Sequence, residues 1–193
     1  MIMKLILASQ SPRRKELLGL LGIPFEIQVP QADETMDHSD DPARQVAEVS
    51  RRKAQAIRAG DDTVVIAADT IVVCDGVILG KPHSKEDACR MLAMLSGRSH
   101  LVMTGMTVMR GGQTQSHTEI TEVFFREISR KEIDRYVESG EPMDKAGAYG
   151  IQGGAALFAE KLQGDYYNVM GLPVCRLTQM LKSAAPELME DEQ

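Results

Sequence analysis

The stretch 63–68 constrains the fold more than any other part of the chain. It reads TVVIAA, an unbroken run of β-branched and small apolar residues. Such a run is typical of a central strand that is buried on both faces of a sheet. The sequence therefore favours an α/β fold built around this strand.

Strand-like and helix-like patterns alternate through the first half of the chain, with strands predicted at 5–8 and 25–29 and helices at about 12–21 and 42–58. The other predicted elements are a hairpin about Asp75-Gly76, helices at 84–95, 129–138 and 173–183, and strands at 101–109, 114–125 and 155–162. We predict a long mixed β-sheet with flanking helices, in two lobes around a cleft. A single domain is expected over 1–184, followed by a flexible tail over 185–193.

Basic residues occupy a helix start where acidic residues are usual. Ser11 followed by Pro12 is typical of an N-cap and a first helical residue, just after the predicted strand 5–8. The next positions hold Arg13, Arg14 and Lys15. Backbone N–H groups, guanidiniums and the hydroxyls of Ser9 and Ser11 together suit an anion with several oxygens, most simply a phosphate chain. The alternative is that these basic side chains are merely solvated.

Composition narrows the kind of partner that the chain can bind. The formal net charge of −6 disfavours nucleic-acid polymers and favours a small phosphorylated ligand in a locally basic pocket. No apolar stretch approaches bilayer length and the N-terminus is too poor in apolar residues for a signal peptide, so no membrane association is expected. The three cysteines lack metal-binding spacing, and we expect reduced thiols in a cytoplasmic protein.

Carboxylates lie at predicted strand ends, where ligands bind in an α/β sheet. Asp69 directly follows the run 63–68, and ligands bind at the carboxyl ends of strands in such sheets. It can act as a base or hold a metal, although a loop aspartate that caps its own turn is the alternative. Asp33 and Glu34 lie in an acidic loop that is by itself solvated. Together with Asp69 they suit a Mg²⁺ site.

Three lysines and one glutamine complete the candidate set. Lys53 falls on the polar face of a helix, where a surface lysine is the commoner explanation. Lys81 lies between Gly80 and Pro82 and Lys145 lies in a glycine-rich loop, so both side chains can be directed by a constrained backbone. Gln152, in the same loop, offers a donor and an acceptor to the edge of a nucleobase.

Five segments in order resemble the Maf family of nucleoside triphosphate pyrophosphatases. They are Ser9-Gln-Ser11-Pro12-Arg13-Arg14, Ala68-Asp69-Thr70, Gly80-Lys81-Pro82, Asp144-Lys145-Ala-Gly-Ala-Tyr-Gly-Ile-Gln152-Gly and Gly171-Leu-Pro173. The resemblance covers roughly 4–182. It implies the fold of inosine triphosphatases, usually as a homodimer. It also implies hydrolysis of a nucleotide to its monophosphate and pyrophosphate with a divalent cation, Mg²⁺ or Mn²⁺.

The resemblance also implies roles for individual residues. Asp69 matches the family's proposed proton acceptor. The positions associated with substrate choice are Arg13, Thr70 and Gln152, and those that line the phosphate and metal region are Ser9, Glu34, Lys53 and Lys81. Thr70 and the segment around Gln152 resemble the subgroup that acts on dTTP and UTP, rather than the sister subgroup that acts on 7-methyl-GTP.

Two other functions remain open at this point. A non-catalytic nucleotide-binding regulator of septum formation would need the basic residues but neither Asp69 nor Glu34, so the two carboxylates favour an enzyme. Hydrolysis of phosphomonoesters is the second alternative, and it would release orthophosphate instead of pyrophosphate.

Overall fold

The computed structural model describes residues 3–37 and 40–189, which form a seven-stranded sheet with flanking helices. The strands are β1 (Lys4–Ala8), β2 (Glu26–Gln28), β3 (Thr63–Cys74), β4 (Val77–Leu79), β5 (Ser99–Arg110), β6 (Gln113–Phe125) and β7 (Ala159–Gln163). The α-helices are α1 (Pro12–Gly19), α2 (Pro42–Gln55), α3 (Lys85–Leu95), α4 (Arg130–Glu138), α5 (Tyr166–Met170) and α6 (Val174–Ala184). The predicted α/β class is confirmed.

The sheet is mixed, as predicted. Its strand order is β2-β1-β3-β5-β6-β7, with β4 paired to β3. Strand β1 runs parallel to both β2 and β3, whereas the pairs β3–β4 and β6–β7 are antiparallel. No helix in the ranges that the structure describes combines the length and the apolar composition needed to cross a bilayer.

Strand β3 is longer than the sequence predicts, and this changes the setting of Asp69. The strand runs unbroken from Thr63 to Cys74, so Asp69 lies inside it and not after its end. The β-branched residues after Thr70 continue the extended backbone. The pairing of β1 with β3 ends at Ala8 and Ala67. Asp69 therefore lies just past the parallel part of β3, where a polar side chain is tolerated.

A second prediction, the strand at 155–162, is wrong in its first half. The segment Gly154–Leu157 is a 3₁₀ turn, and β7 begins only at Ala159. The amides of Ala156 and Phe158 donate to carbonyls three residues earlier, and the amide of Gly154 donates to a glutamate side chain. These local bonds use the donors that a strand would need for its ladder.

The local signals at three other places are confirmed. Ser11 caps α1, with Pro12 as the first helical residue. Asp75 and Gly76 form the turn between β3 and β4 with φ of 48° and 77°, the left-handed conformation that this kind of hairpin requires. Ser129 and Glu132 form a capping box at the start of α4.

The chain packs as two compact units. The first contains the chain through Asp69, then Thr104–Glu119 and the part from Gly171 onward; the second contains Thr70–Met103 and Ile120–Met170. In the first unit, α2 packs its apolar face on β1 and β3 through a buried cluster of Ile6, Ala8, Ala54, Ile57, Val65 and Ala67. It also lies against Gly105, where an added Cβ would be 2.3 Å from the carbonyl oxygen of Val46.

The second unit is built on an aromatic core. Phe125 contacts His100, Tyr149 and Phe158 edge to face, and Tyr136 contacts Phe158 at a centroid distance of 5.4 Å. The His100 ring is 2% exposed and its Nε2 shares a hydrogen bond of 2.7 Å with the Tyr149 hydroxyl. Burial lowers the pKa of His100 to about 4, so this core contains a neutral imidazole.

Near the C-terminal end, a 3₁₀ turn at Pro186–Leu188 follows α6. Arg110 donates to the carbonyl oxygen of Ala184 at 3.1 Å and pairs with Glu187 at 3.0 Å. These contacts attach the beginning of the predicted tail to β5, whereas 190–193 lie outside the described residues.

Candidate active site

The start of α1 brings two serines and two arginines together. The Ser11 hydroxyl accepts from the amide of Arg14 at 3.4 Å, and the buried Ser9 hydroxyl accepts from the amide of Ser11 at 3.1 Å. The first turn of the helix holds no acidic residue. Arg13 and Arg14 therefore stand at the positive end of a helix dipole, an arrangement that favours an anionic ligand.

Arg14 is held in a defined orientation. Its Nε donates to the carbonyl oxygen of Gly171 at 2.8 Å, so the segment Gly171-Leu-Pro173 that the sequence singles out begins at a contact with this arginine. Burial lowers the pKa of Arg14, while the nearby charge of Asp69 acts in the opposite direction. The charge of Glu34 also raises this pKa, so the guanidinium belongs to the same charged neighbourhood as both carboxylates.

Lys53 joins the two carboxylates at the centre of this neighbourhood. Its Nζ lies 2.7 Å from Oδ1 of Asp69 and 3.0 Å from Oε2 of Glu34. The Lys53 and Asp69 side chains are 8% and 16% exposed, whereas Glu34 is 59% exposed. We call these three residues the charged cluster. The structure thus brings together the predicted base, a predicted metal ligand and a predicted phosphate-region lysine.

The interpretation of Lys53 as a surface lysine is wrong. The buried residues of α2 include Val46, Val49, Ser50 and Ala54 in addition to Lys53. Lys53 follows Val46 by two helical turns and Val49 by one, so the helical period places it on the buried face. This spacing is the feature of the sequence that indicates a buried position for Lys53.

The loop that carries Glu34 is attached to α2 by a residue that the sequence did not indicate. Arg52 Nη2 donates to the carbonyl oxygen of Thr35 at 2.6 Å, and its Nη1 lies 3.4 Å from Oδ2 of Asp33. Asp33 also accepts from the amide and the hydroxyl of Thr35, and these bonds lower the pKa of Asp33. Arg52 thereby anchors the loop next to Lys53.

Asp33 does not join Glu34 and Asp69, with which the sequence suggests it as a Mg²⁺ ligand. Its oxygens bind Thr35 and Arg52, whereas Glu34 and Asp69 meet at Lys53. Among the residues that the structure describes, no three His, Cys, Asp or Glu side chains converge as a preformed metal cluster. The predicted set of three carboxylates is thus reduced to a pair.

The remaining predicted residues lie in the second unit. Thr70 is half-buried in β3 and Lys81 is exposed just after β4. The carbonyl oxygen of Gly80 accepts from the amide of Gly147 at 3.0 Å, which ties the Lys81 loop to the glycine-rich stretch. Gly147 has φ of 68°, and a Cβ there would lie 2.8 Å from the Val72 side chain. Only glycine suits this close approach.

Lys145 and Gln152 differ in their surroundings. Lys145 Nζ donates to the carbonyl oxygen of Glu141 and to Oδ1 of Asp144, both at 2.7 Å. It is therefore a fixed part of its loop, and its contact with a phosphate stays a prediction. Gln152 is exposed in a turn between Gly150 and Gly154. The contacts that hold this turn come from Tyr136 and Glu141, neither of which the sequence indicated.

Comparison with known proteins identifies the family. A family model described as Maf-like protein matches residues 4–184. A dTTP/UTP pyrophosphatase of Symbiobacterium thermophilum is 53% identical over 179 residues, 92% of each chain. One of Bacillus pumilus is 49% identical over 181 residues, 93% of this chain and 96% of that one. Among solved structures, a HAM1 protein from Coxiella burnetii aligns with a TM-score of 0.46 and 14% identity, over 94% of this chain and 99% of that chain.

The family match spans nearly all described residues, and relatives near half identity cover more than nine-tenths of the chain. The five segments that suggested the resemblance all fall within the matched range. The chain therefore belongs to the Maf family.

Proposed function

We propose that this chain hydrolyses dTTP and UTP to their monophosphates and pyrophosphate. The observation that carries the proposal is the charged cluster, in which Asp69 and Glu34 share the ammonium of Lys53 beside Arg14. The cluster supplies a carboxylate base, and cations to bind phosphates, in one place. The names of the half-identical relatives support the same reaction and favour an enzyme over a regulator that only binds nucleotides.

The donor set suits a divalent cation. Glu34 and Asp69 each place a carboxylate oxygen within 3.0 Å of the Lys53 ammonium, so the two carboxylates lie close to each other. Such hard oxygen donors match Mg²⁺ and Mn²⁺. We therefore propose Glu34 and Asp69 as the residues that would hold the ion. When bound, it would neutralise charge on the phosphate chain and on the departing pyrophosphate.

Asp69 is proposed as the proton acceptor. Lys53 donates to its Oδ1, so we assign Oδ2 as the atom that takes a proton from the attacking water. The Lys53 contact fixes the orientation of the carboxylate, while β3 holds its backbone. A base held on a strand keeps the alignment with the α-phosphorus that an in-line displacement needs.

Cationic groups at the start of α1 are proposed to bind the phosphates. Arg14 is directed by the Gly171 carbonyl, and Arg13 lies beside it in the same turn. The hydroxyls of Ser9 and Ser11 accept from backbone amides, so they stabilise the turn that presents the arginines. These contacts favour a polyanion in a chain whose net charge is −6.

Gln152 is proposed to select the base. Uracil and thymine present a carbonyl O4 and an N3–H, which match the donor and the acceptor of a glutamine amide. Cytosine replaces the carbonyl with an amino donor and lacks the N3 proton, so both contacts of an amide held in the same orientation would clash or go unpaired. An unpaired buried polar group costs about 1–3 kcal/mol, enough for roughly tenfold discrimination.

The test is the identity of the product. Purified protein should release pyrophosphate from UTP and dTTP with Mg²⁺ or Mn²⁺ and lose this activity in excess EDTA. Orthophosphate as the first product would indicate a phosphomonoesterase instead. Tight nucleotide binding without any turnover would support the regulator.

A further inference from the structure

The loop that carries Gln152 is bound at both ends by two side chains that lie outside it. The amide of Gly150 donates to the Tyr136 hydroxyl at 3.1 Å, and the amide of Gly154 donates to Oε2 of Glu141 at 3.0 Å. The Tyr136 hydroxyl in turn donates to Oε1 of Glu141 at 2.9 Å. One phenol and one carboxylate therefore fix the backbone on either side of Gln152.

The loop packs directly on these groups. A Cβ at Gly153 would lie 1.9 Å from Oε1 of Glu141, and a Cβ at Gly150 would lie 2.6 Å from Cε of Lys145. Lys145 is itself bound to the Glu141 carbonyl oxygen. The glycines thus allow the backbone to approach Glu141, and the loop has little room to shift toward it.

The two anchors are themselves held by the fold. Tyr136 is 6% exposed on α4 and packs edge to face against Phe158. A tyrosine phenol is protonated at neutral pH and can donate to Glu141, and burial raises the pKa of Tyr136 further. Glu141 begins the 3₁₀ turn after α4, and its amide donates to the Ser139 hydroxyl at 3.3 Å.

We propose that Tyr136 and Glu141 are positioning residues for base selection, which act by fixing the 150–154 loop so that the Gln152 amide meets the base at one angle. The proposal rests on the proposed function, because it needs Gln152 to contact the base. Hydrogen-bond discrimination depends on direction, so a loop that moves would blur the difference between a uracil and a cytosine edge.

The main variant is Tyr136→Phe, which removes the hydroxyl and keeps the ring against Phe158. Its matched control is Tyr149→Phe, which removes another buried hydroxyl of the same core, one that binds His100. The Tyr136→Phe variant loses the bond from the Gly150 amide and the bond to Glu141. We expect it to lower the UTP-over-CTP ratio of kcat/KM about threefold to tenfold, mainly through KM for UTP. Glu141→Gln should act in the same direction, and Tyr149→Phe should leave the ratio unchanged.

A double-mutant cycle separates positioning from general weakening of the fold. If Tyr136 acts through Gln152, then Tyr136→Phe combined with Gln152→Ala should have the same substrate ratio as Gln152→Ala alone. Amide hydrogen exchange across 150–154 should also be faster in Tyr136→Phe than in the control. The positioning role would be overturned if the effects of the two substitutions on the UTP-over-CTP ratio multiplied in the double variant. It would also be overturned if Tyr136→Phe left amide hydrogen exchange across 150–154 unchanged.

Base selection by Gln152 and the positioning role of Tyr136 and Glu141 can be overturned by different results. A wild-type protein with equal kcat/KM for UTP and CTP would overturn base selection by Gln152, and the positioning role with it. A wild-type preference that Gln152→Ala abolishes but Tyr136→Phe leaves intact would overturn only the positioning role.

Discussion

In the first unit, three charged side chains from a loop, a helix and a strand meet directly: Glu34, Lys53 and Asp69. In the second unit, the loop around Gln152 is instead held through its backbone amides, which donate to Tyr136 and Glu141. The first arrangement depends on the balance of charge among its members. The second depends on the shape of a loop that glycines allow to pack closely.

The difference predicts different consequences of substitution. Removing a charge from the charged cluster leaves a buried or half-buried partner without its counterion, which affects every substrate alike. Loosening the glycine-rich loop leaves the charges in place and changes how one base is told from another. Rate and selectivity should therefore be separable by mutation.

The largest expected effect follows from Asp69→Asn. The substitution keeps the shape of the side chain and removes the proton acceptor, so kcat/KM should fall about 10²-fold or more for UTP, dTTP and CTP together. Pyrophosphate release at substrate concentrations well below KM measures it. Asp61→Asn, at an exposed position, is the matched control. A loss below threefold would show that Asp69 is not the base, and a changed UTP-over-CTP ratio would break the separation of the two regions.

Acid should weaken the second unit through His100. Its pKa is about 4 in the folded chain against 6.5 when unfolded, so the unfolded state binds the proton first as the pH falls. This contribution is fully present above pH 6.5 and is lost toward pH 4, by about 3 kcal/mol in the free energy of unfolding. Urea unfolding across this range measures it, and His100→Gln should flatten the slope. An equally steep slope in the variant would contradict this assignment.

A smaller effect than that of Asp69→Asn is expected from Gln152→Ala, and it concerns selectivity. Losing the amide should narrow the UTP-over-CTP ratio of kcat/KM by roughly tenfold, since its polar contacts separate the two bases. The rate of pyrophosphate release at saturating substrate should change little. A large fall in kcat with the ratio preserved would place Gln152 among the groups that act on the phosphate chain.

The sequence predicted most elements of the fold because their signals are local. The Ser11 cap, the Asp75-Gly76 turn and the capping box at Ser129 each depend on neighbours a few residues apart. The prediction was wrong at β3, which it ended before Asp69. The β-branched residues after Asp69 continue this strand to Cys74. The prediction also failed at 155–158, where a distant glutamate binds the amide of Gly154.

The residues of the candidate site were proposed from residue types and family resemblance, whereas the residues that support them were not. Lys53 could have been placed on the buried face of α2 from its spacing to Val46 and Val49. Arg52 and Glu141 carry no such signal, because their contacts with Thr35 and Gly154 depend on the tertiary fold. Candidate site residues can be recognised in a sequence by their residue type. The residues that support them can be recognised only from their contacts in the folded chain.

Gly105 packs so closely on α2 that substitution at this position, outside the charged cluster, should disturb the helix. A side chain at this position would meet the backbone of Val46 at 2.3 Å, so the helix itself would have to move. Lys53 lies two turns further along the same helix and would be carried with it. A displacement of about 1 Å at a reacting group can cost about 10²-fold in rate. A substitution at this single glycine is therefore expected to lower activity although Glu34, Lys53 and Asp69 are all retained.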